Sequence, residues 1–458
     1  MINVAAICSI KNWPLTAEYG FSSLFYFIVS TLFFFIPTAL VSAELSTGWA
    51  KKGGIYVWVR EAFGHRFGFL AVWLLWVENI VWYPTILSFI AGVIAFTINP
   101  QLIENPLYMF LVIFVSFWAA TLINLLGMKI SGWVSTTGAM LGMILPGIVI
   151  IVLGCIWVTT GQPSQIDFRY QSFIPKANHP AQLAFLAGVL LSFSGMEMSS
   201  VHVRDVQNPQ RNYPRAILLS AAIIVGLSVL GTLAIAVVIP QKEIHLVSGG
   251  MEAIAYFLRS YKLGWSVPLF SLLVALGALG QVSTWIVGPS KGLLAAAQDG
   301  DLPPILHKVN QQNMPISMLI FQGIVFSLLA LVFLLMPDVN SSFWILIALT
   351  SQLYVLMYIL MFAAAITLRY KKPHVKRSYR IPGGNFGMWL IAIVGILSCL
   401  FALSIGFFPP DQLQTGDLLP YELFLVFGIL IVCSAPHLIL RFKKPSWDEP
   451  VFLPKDEA

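Results

Sequence analysis

The chain has 458 residues, of which 58% are hydrophobic and only 10% are charged, and its formal net charge at pH 7 is +6. Since a soluble domain carries about 25% charged residues, this composition cannot cover a water-facing surface. It excludes a cytosolic enzyme, a secreted domain, a disordered chain and a nucleic-acid-binding protein. The composition predicts an all-α polytopic membrane protein.

Apolar runs separated by polar loops follow one another along the chain, and a membrane-spanning helix needs about 20 apolar residues. Twelve such runs cover residues 1–12, 21–43, 67–97, 107–126, 132–159, 182–202, 215–239, 266–290, 315–336, 342–368, 386–408 and 420–440. The first run starts directly at Met1 and soon reaches Pro14. We therefore expect either that the natural start lies upstream of Met1 or that the first half-helix is truncated.

Lysine and arginine are unevenly distributed over the loops. The loops after runs 2, 4, 6, 8 and 10, together with the C-terminal segment, hold 20 of the 26 Lys and Arg residues, and the opposite loops hold five. Cytoplasmic loops carry an excess of these residues. The distribution predicts a multi-pass protein of the cytoplasmic (inner) membrane with both termini in the cytoplasm, and it explains the net charge without a nucleic-acid partner.

Two of the basic loops show internal structure. Residues 53–64 form an amphipathic pattern between glycines, which predicts a short helix at the membrane interface. Residues 299–315 predict a turn, a short helix and a second turn. The four cysteines, Cys8, Cys155, Cys399 and Cys433, lack the spacing of a metal site or a disulfide framework. No cofactor and no metal site is predicted.

Three ionisable residues lie within apolar runs, where they are costly and are functional candidates by default. Glu78 lies in run 3 and Glu197 in run 6, and both are candidates for gating and for sensing pH. Lys11 lies in run 1 and allows three interpretations. It pairs with Glu78 or Glu197, it attracts an acidic substrate side chain, or it extends outward to the membrane surface without a role.

Polar segments interrupt two apolar runs. Run 6 contains small and polar residues at 192–200, including Ser194 and Gly195, and run 1 is interrupted at 8–14. Paired interruptions in corresponding positions of two halves are typical of transporters built from inverted repeats. Broken helices expose N–H groups at one end and carbonyl groups at another, which suits a zwitterion. The alternative for run 6 is a packing face of small residues with one hydrogen-bonded glutamate.

Tyr354 and Tyr358 lie four residues apart in run 10, so they share one helix face. Tyrosine combines an apolar ring with a hydroxyl group, which suits a substrate site. Ordinary packing in the helix bundle, or a place in the aromatic belt at the membrane surface, is an equally open interpretation.

Several short motifs in a characteristic order resemble a known family. They occupy residues 43–45, 53–58, 194–197, 208–214, 285–290 and 377–384. The chain resembles the amino acid–polyamine–organocation (APC) superfamily, and it is most similar to the glutamate/GABA antiporter branch. The resemblance implies a LeuT-like fold of five plus five inverted repeats, with broken helices 1 and 6, two extra helices and alternating access to a central site.

The resemblance also implies a division of the chain and a set of site residues. Residues 1–159 would form the first repeat, 182–368 the second, 386–440 the two extra helices and 441–458 a short cytoplasmic tail. The residues implied in substrate binding are Ile7, Cys8, Ser9, Lys11, Ser194, Gly195, Tyr354 and Tyr358. Glu197 matches a glutamate that relatives associate with gating and pH response.

We therefore expect a secondary active transporter that exchanges small zwitterionic amino acids across the lipid bilayer. A proton-coupled amino acid symporter is the alternative, and coupled protons and a homodimer are left open. A channel and a membrane-embedded enzyme are rivals from other classes. The sequence lacks the HExxH motif that would favour a zinc-dependent enzyme.

Overall fold

The computed structural model describes residues 2–49, 53–175, 183–198, 208–335, 339–409 and 418–447. All regular elements within these residues are helical, as the composition predicts. The rest of run 6, residues 199–202, lies outside the described part of the chain.

Seven helices form the first part of the chain. They are α1 (Ile2–Ile7), α2 (Trp13–Ala17), α3 (Gly20–Gly48), α4 (Ile55–Phe63), α5 (His65–Ile98), α6 (Pro106–Leu125) and α7 (Lys129–Thr159). The short helix α4 lies between Gly54 and Gly64, so the prediction of a short helix in this loop is confirmed.

Eight helices form the second part. They are α8 (Ala184–Ser192), α9 (Pro209–Val238), α10 (Gly249–Ser260), α11 (Val267–Ala296), α12 (Ile316–Leu335), α13 (Val339–Lys371), α14 (Gly384–Ile405) and α15 (Leu418–Arg441). A 3-10 turn at Pro304–His307 provides the short helix predicted for residues 299–315. The sequence interpretation missed α10, which it assigned to a loop.

Ten of these helices are long and apolar enough to cross a membrane. They correspond to ten of the twelve predicted runs. The other two runs, 1 and 6, form the interrupted helices α1/α2 and α8. The prediction of an all-α multi-pass membrane protein with broken helices 1 and 6 is therefore confirmed.

Helices α7 and α11 approach each other closely through glycines. A Cβ atom at Gly142 would overlap the backbone of Gly277, and one at Gly280 would lie 3.2 Å from the Cα atom of Gly138. Small residues at helix contacts let backbones come together within a membrane. This contact fixes α11, which carries two residues, Gln281 and Trp285, that line a cavity between the broken helices.

A buried ion cluster joins α3, α13 and the loop that follows α13. The Nε and NH2 groups of Arg369 each donate to the Glu44 carboxylate at 2.6 Å, and the Ile381 N–H donates to it at 2.8 Å. The Arg377 Nε atom lies 3.3 Å from the same carboxylate. Two of the recognised motifs, at 43–45 and 377–384, thus meet in one contact.

We call this end of the molecule the basic face, defined by α4, the loop 299–315 and the loop 372–383. The Tyr56 hydroxyl donates to Asp299 at 2.8 Å and to Asp301 at 3.0 Å, and Arg60 forms an ion pair with Asp299. The Lys371 Nζ atom donates to the carbonyl oxygen of Ala62 at 2.9 Å. Helix α4 is therefore attached to the ends of both α11 and α13.

At the opposite end, α10 packs against the second piece of the first broken helix. A Cβ atom at Gly250 would lie 2.9 Å from Ile10, and one at Gly249 would lie 3.2 Å from Pro14. The preceding residue Val247 lies against Gly92 near the end of α5. Helix α10 and the segment before it therefore pack against the first broken helix and the end of α5.

Candidate functional site

The first helix is interrupted at Cys8 and Ser9. The Cys8 N–H still donates to the Val4 carbonyl at 3.0 Å, but Ser9 is extended, with φ −153° and ψ 127°. A 3-10 turn at Ile10–Asn12 then leads into α2. Pro14 lies in the first turn of α2, where a missing N–H and a fixed φ are compatible with a helix start. The sequence of this segment thus ends one helix and starts another.

The second interruption follows α8, which ends at Ser192. Gly195 adopts a φ of +118°, a conformation that side chains disfavour. A Cβ atom at this position would also lie 2.9 Å from the Trp285 ring. Glycine is therefore required here for both its backbone and its lack of a side chain, and a short 3-10 turn at residues 196–198 follows.

A small cavity lies between the two interruptions. Side chains from five helices and both breaks form its wall. The lining residues are Ala6, Ile7, Asn12, Glu78, Asn79, Trp82, Leu191, Ser192, Ser194, Gln281, Trp285 and Tyr354. Of the expected site residues, Ile7, Ser194, Tyr354 and Glu78 thus line one cavity.

Glu197 is held by the two tyrosines of α13. The hydroxyl groups of Tyr354 and Tyr358 donate to its two carboxylate oxygens at 2.5 and 2.7 Å. The Tyr358 hydroxyl also accepts a hydrogen bond from the Gly195 N–H at 2.8 Å, and the two rings stack with centroids 4.9 Å apart. Glu197 is only 3% exposed. The structure therefore joins four expected site residues in one network behind the cavity wall.

Glu78 is a second carboxylate in the same region and is 2% exposed. Its partner is the neighbouring Asn79, whose side-chain amide donates to the carboxylate and also to the Leu75 carbonyl at 2.8 Å. Among the described residues, neither Glu78 nor Glu197 forms an ion pair with a basic side chain. Within the described part of the chain, the site thus holds two carboxylates that have no ion-pair partner.

Lys11 does not form the ion pair with Glu78 or Glu197 that was the first of its three interpretations. Its Nζ atom donates to the Thr85 hydroxyl at 2.9 Å and lies over the rings of Trp82 and Phe343, 5.1 and 5.3 Å from their centroids. The side chain is 1% exposed, which also excludes outward extension. Aromatic rings and a hydroxyl replace the anion because the 3-10 turn at Ile10–Asn12 directs this side chain toward α5 and α13.

The remaining expected residues lie beside the cavity. Cys8 and Ser9 form the break itself but do not line the space. Sequence reasoning missed Gln281, which lies in the middle of an apolar run and lines the cavity. The sequence could have identified Gln281, since burying an amide at membrane depth without a hydrogen bond costs free energy, as burying a charge does. The sequence interpretation considered only ionisable residues in the apolar runs and therefore omitted Gln281.

Comparisons with known proteins agree with this geometry. Residues 2–431 match the model of the family described as amino acid permease. An uncharacterized transporter of Legionella pneumophila is 44% identical over 441 residues, which are 96% of this chain and 95% of that protein. Glutamate/gamma-aminobutyrate antiporters from two Lactococcus lactis strains are each 32% identical over 444 residues, 96% of this chain and 88% of theirs.

These likenesses extend over nearly the whole chain and include both interrupted helices. The similar proteins are transporters, and the family is one of permeases, so the protein is a transporter of amino acids and not an enzyme. The chain belongs to the amino acid permease family, within the APC superfamily.

Proposed function

We propose that this protein exchanges one amino acid for another across the cytoplasmic membrane by alternating access. The observation that carries the proposal is the cavity enclosed by the two interrupted helices and by α5, α11 and α13. Such a cavity at the middle of the fold, between broken helices, is where secondary transporters bind their substrates. The proposed orientation places both termini, and the basic face, in the cytoplasm.

The chemistry of the two breaks supports a zwitterionic substrate. The last turn of α1 and the end of α8 leave carbonyl groups without helical partners, and these attract an ammonium group. The starts of the following helical pieces present N–H groups to a carboxylate. We propose that Ile7, Cys8, Ser9, Ser194 and Gly195 form this frame, with Lys11, Tyr354 and Tyr358 beside the substrate.

The two carboxylates are proposed to control the transport cycle. Glu197 connects the second break to α13 through two tyrosines, so a change in its protonation would alter the contact between two moving elements. Glu78 lines the cavity itself. Both are positioned to respond to pH, and both would carry a proton if the protein were a symporter instead.

The relatives favour exchange. The two Lactococcus lactis proteins at 32% identity are named glutamate/gamma-aminobutyrate antiporters. We propose the same mode of transport here, and we propose the repeat division at residues 1–159, 182–368 and 386–440.

Counterflow into proteoliposomes tests the proposal. Purified protein is reconstituted into vesicles loaded with unlabelled L-glutamate, GABA or a neutral amino acid, and uptake of labelled amino acids is measured. An exchanger takes up label only when the vesicle contains a substrate. Uptake into empty vesicles that follows a proton gradient would favour the symporter, and current without either would indicate a channel.

A matched pair of variants ties the transport to the cavity. Tyr354→Phe changes a residue that lines the cavity, and we expect a raised KM. Tyr421→Phe removes an equally buried hydroxyl that donates to the Gly406 carbonyl at 3.0 Å, away from the cavity, and we expect an unchanged KM. Equal effects of the two substitutions would contradict the assignment of this cavity as the substrate site.

A further inference from the structure

Gln281 and Trp285 lie one helical turn apart on α11 and donate to the same carbonyl oxygen. The Gln281 Nε2 atom lies 2.8 Å, and the Trp285 Nε1 atom 2.9 Å, from the oxygen of Ala6. Ala6 belongs to the last turn of α1, whose carbonyl groups have no helical partner. The two side chains therefore take the place of the missing N–H donor.

This contact fixes the orientation of the Gln281 amide. A carbonyl oxygen can only accept, so the atom that faces Ala6 must be the NH2 group. The Oε1 atom is then the free end of the amide. It has no hydrogen-bond partner among the residues that the structure describes, and the side chain is 4% exposed.

The cavity next to Gln281 is suited to a cation. Glu78 contributes a carboxylate, and Trp82 and Tyr354 contribute aromatic rings. Carboxylates and aromatic rings both attract ammonium groups, but rings attract primary and fully methylated ammonium alike. An unpartnered acceptor such as Oε1 distinguishes the two, because only the primary ammonium carries N–H donors.

We propose that Gln281 is a substrate-binding residue whose Oε1 atom accepts a hydrogen bond from the ammonium group of the transported amino acid. Its Nε2 atom holds the end of α1 in place at the same time. The residue thereby couples recognition of a primary amine to the position of the first broken helix, and it makes the site selective against N-trimethylated substrates. This inference rests on the proposed transport function.

A second glutamine provides the matched control. Gln352 on α13 is equally buried, its Nε2 atom donates to the Leu403 carbonyl at 3.1 Å, and its Oε1 atom has no partner among the described residues. It does not line the cavity. The two residues thus share their local chemistry and differ in access to a ligand.

The experiment compares primary amines with their trimethylated forms. Binding of glycine, N,N,N-trimethylglycine, GABA and N,N,N-trimethyl-GABA is measured by inhibition of labelled uptake and by quenching of tryptophan fluorescence. In the wild type, we expect the primary amine of at least one pair to bind about tenfold or more tightly than its trimethylated form, since one hydrogen bond to a charged donor distinguishes them.

The variants locate this preference. Gln281→Met is expected to weaken binding of that primary amine about tenfold and to leave binding of the trimethylated form unchanged, so the preference is lost. Gln352→Met is expected to keep the wild-type preference. If Gln281→Met does not fold, Gln281→Asn and the wild-type comparison decide the question.

Three results would overturn the inference. They are a wild type that binds trimethylated and primary forms equally, a wild type that binds none of the four probes, and a Gln281→Met variant that keeps the preference. The proposed function fails separately, when counterflow detects no transport of any amino acid. Active exchange combined with any of the three results would refute only the role of Gln281.

Discussion

Glu197 is bound by two tyrosine hydroxyls that have different additional partners. Tyr354 donates to the carboxylate, whereas the Tyr358 hydroxyl donates to it and also accepts the Gly195 N–H. The second break therefore depends more on Tyr358, because the backbone at Gly195 has left the helix and needs an acceptor.

This difference gives a prediction for a pair of matched substitutions. Tyr358→Phe leaves the Gly195 N–H and one carboxylate oxygen without partners, whereas Tyr354→Phe affects one oxygen only. We expect Tyr358→Phe to lower the free energy of unfolding by about 1 kcal/mol more than Tyr354→Phe does. Thermal unfolding of the purified variants in detergent measures this difference in stability, and equal melting temperatures would contradict the prediction.

Lys11 leads to a second prediction at this scale. Its partners are a hydroxyl and two aromatic rings, so its removal leaves no buried anion unpaired. Replacing a buried charge by an apolar side chain of similar size is often neutral or stabilising. We expect Lys11→Met to fold and to unfold at the same or a higher temperature than the wild type.

A different result would restore the ion-pair interpretation of Lys11. In that case Lys11→Met would lose folded protein, and Glu78→Gln or Glu197→Gln would rescue it. The sequence identified all three residues as buried and ionisable, because a charge in an apolar run is visible without a structure. It could not predict their partners, since these depend on how the two broken helices pack against α5 and α13.

Between elements, the ion cluster of Glu44 connects α3 to α13. Arg369 makes two hydrogen bonds to the carboxylate, and both side chains are 1% exposed. Lys372 and Glu61 form a second ion pair nearby on the basic face, but the lysine side chain is 41% exposed. A buried pair and an accessible pair thus connect the end of α13 to its neighbours.

We expect very different costs for breaking these two pairs. Arg369→Leu leaves a carboxylate buried beside the single remaining cation, Arg377, and should lower the free energy of unfolding by about 3–5 kcal/mol. Lys372→Leu should cost about 1 kcal/mol or less, because water screens the exposed pair. Chemical unfolding of both variants tests this, and similar losses would contradict it.

The turn between α2 and α3 carries a group that titrates near neutrality. Burial raises the pKa of Glu18 from 4.5 to about 7, and the nearby His245 opposes this shift. The His245 Nδ1 atom lies 3.0 Å from the carboxylate of Glu252 on α10. Glu18, His245 and Glu252 are thus the titratable groups where α10 covers the end of α2.

The sign of the effect follows from the raised pKa. The folded state binds a proton at Glu18 more tightly than the unfolded chain does, so this contribution to stability is complete below about pH 4.5 and is lost as the pH rises through about 7. We expect Glu18→Gln to gain stability relative to the wild type at pH 8 and not at pH 4.5. Melting temperatures at both values test this.

Glu243 offers a control, because it is an exposed carboxylate on the same side of the molecule. Glu243→Gln should leave the dependence of melting temperature on pH unchanged. A Glu18→Gln variant with the same pH dependence as the wild type would show that Glu18 does not titrate with folding.

Elements differed in how well the sequence predicted them. The long apolar helices and both breaks were found, because hydropathy, glycine and proline mark them directly. Helix α10 was missed because the sequence interpretation counted only runs long enough to span a membrane, although Met251, Ile254 and Leu258 have the spacing of an amphipathic helix. Its place is set by glycines that fit against Ile10 and Pro14, a tertiary contact that leaves no periodic signal.

At the scale of the whole molecule, the basic residues and the helix order define two faces. The loop 372–383 lies at the end of α13, on the basic face, and the segment 241–252 lies at the other end with α10. Helices that cross the membrane in alternation place these segments on opposite sides. The excess of Lys and Arg favours the proposed orientation, with the basic face in the cytoplasm.

Cysteine labelling tests this orientation. We expect a cysteine at Lys376, in the exposed loop after α13, to react with a membrane-impermeant maleimide only in inverted membrane vesicles. A cysteine at Lys242, in the exposed turn before α10, should react in intact cells. Of the native cysteines, Cys8 and Cys399 are buried, while Cys155 and Cys433 are replaced by serine to lower the background.

The two positions check each other, because each serves as the control for labelling at the other. Reaction of both cysteines from the same side would contradict the alternating arrangement of the helices. A reversed pattern would keep the fold and invert the proposed orientation, so α10 would face the cytoplasm. The expected pattern places α10 and the turn that carries Glu18 on the external side of the membrane, where the external pH sets the protonation of Glu18.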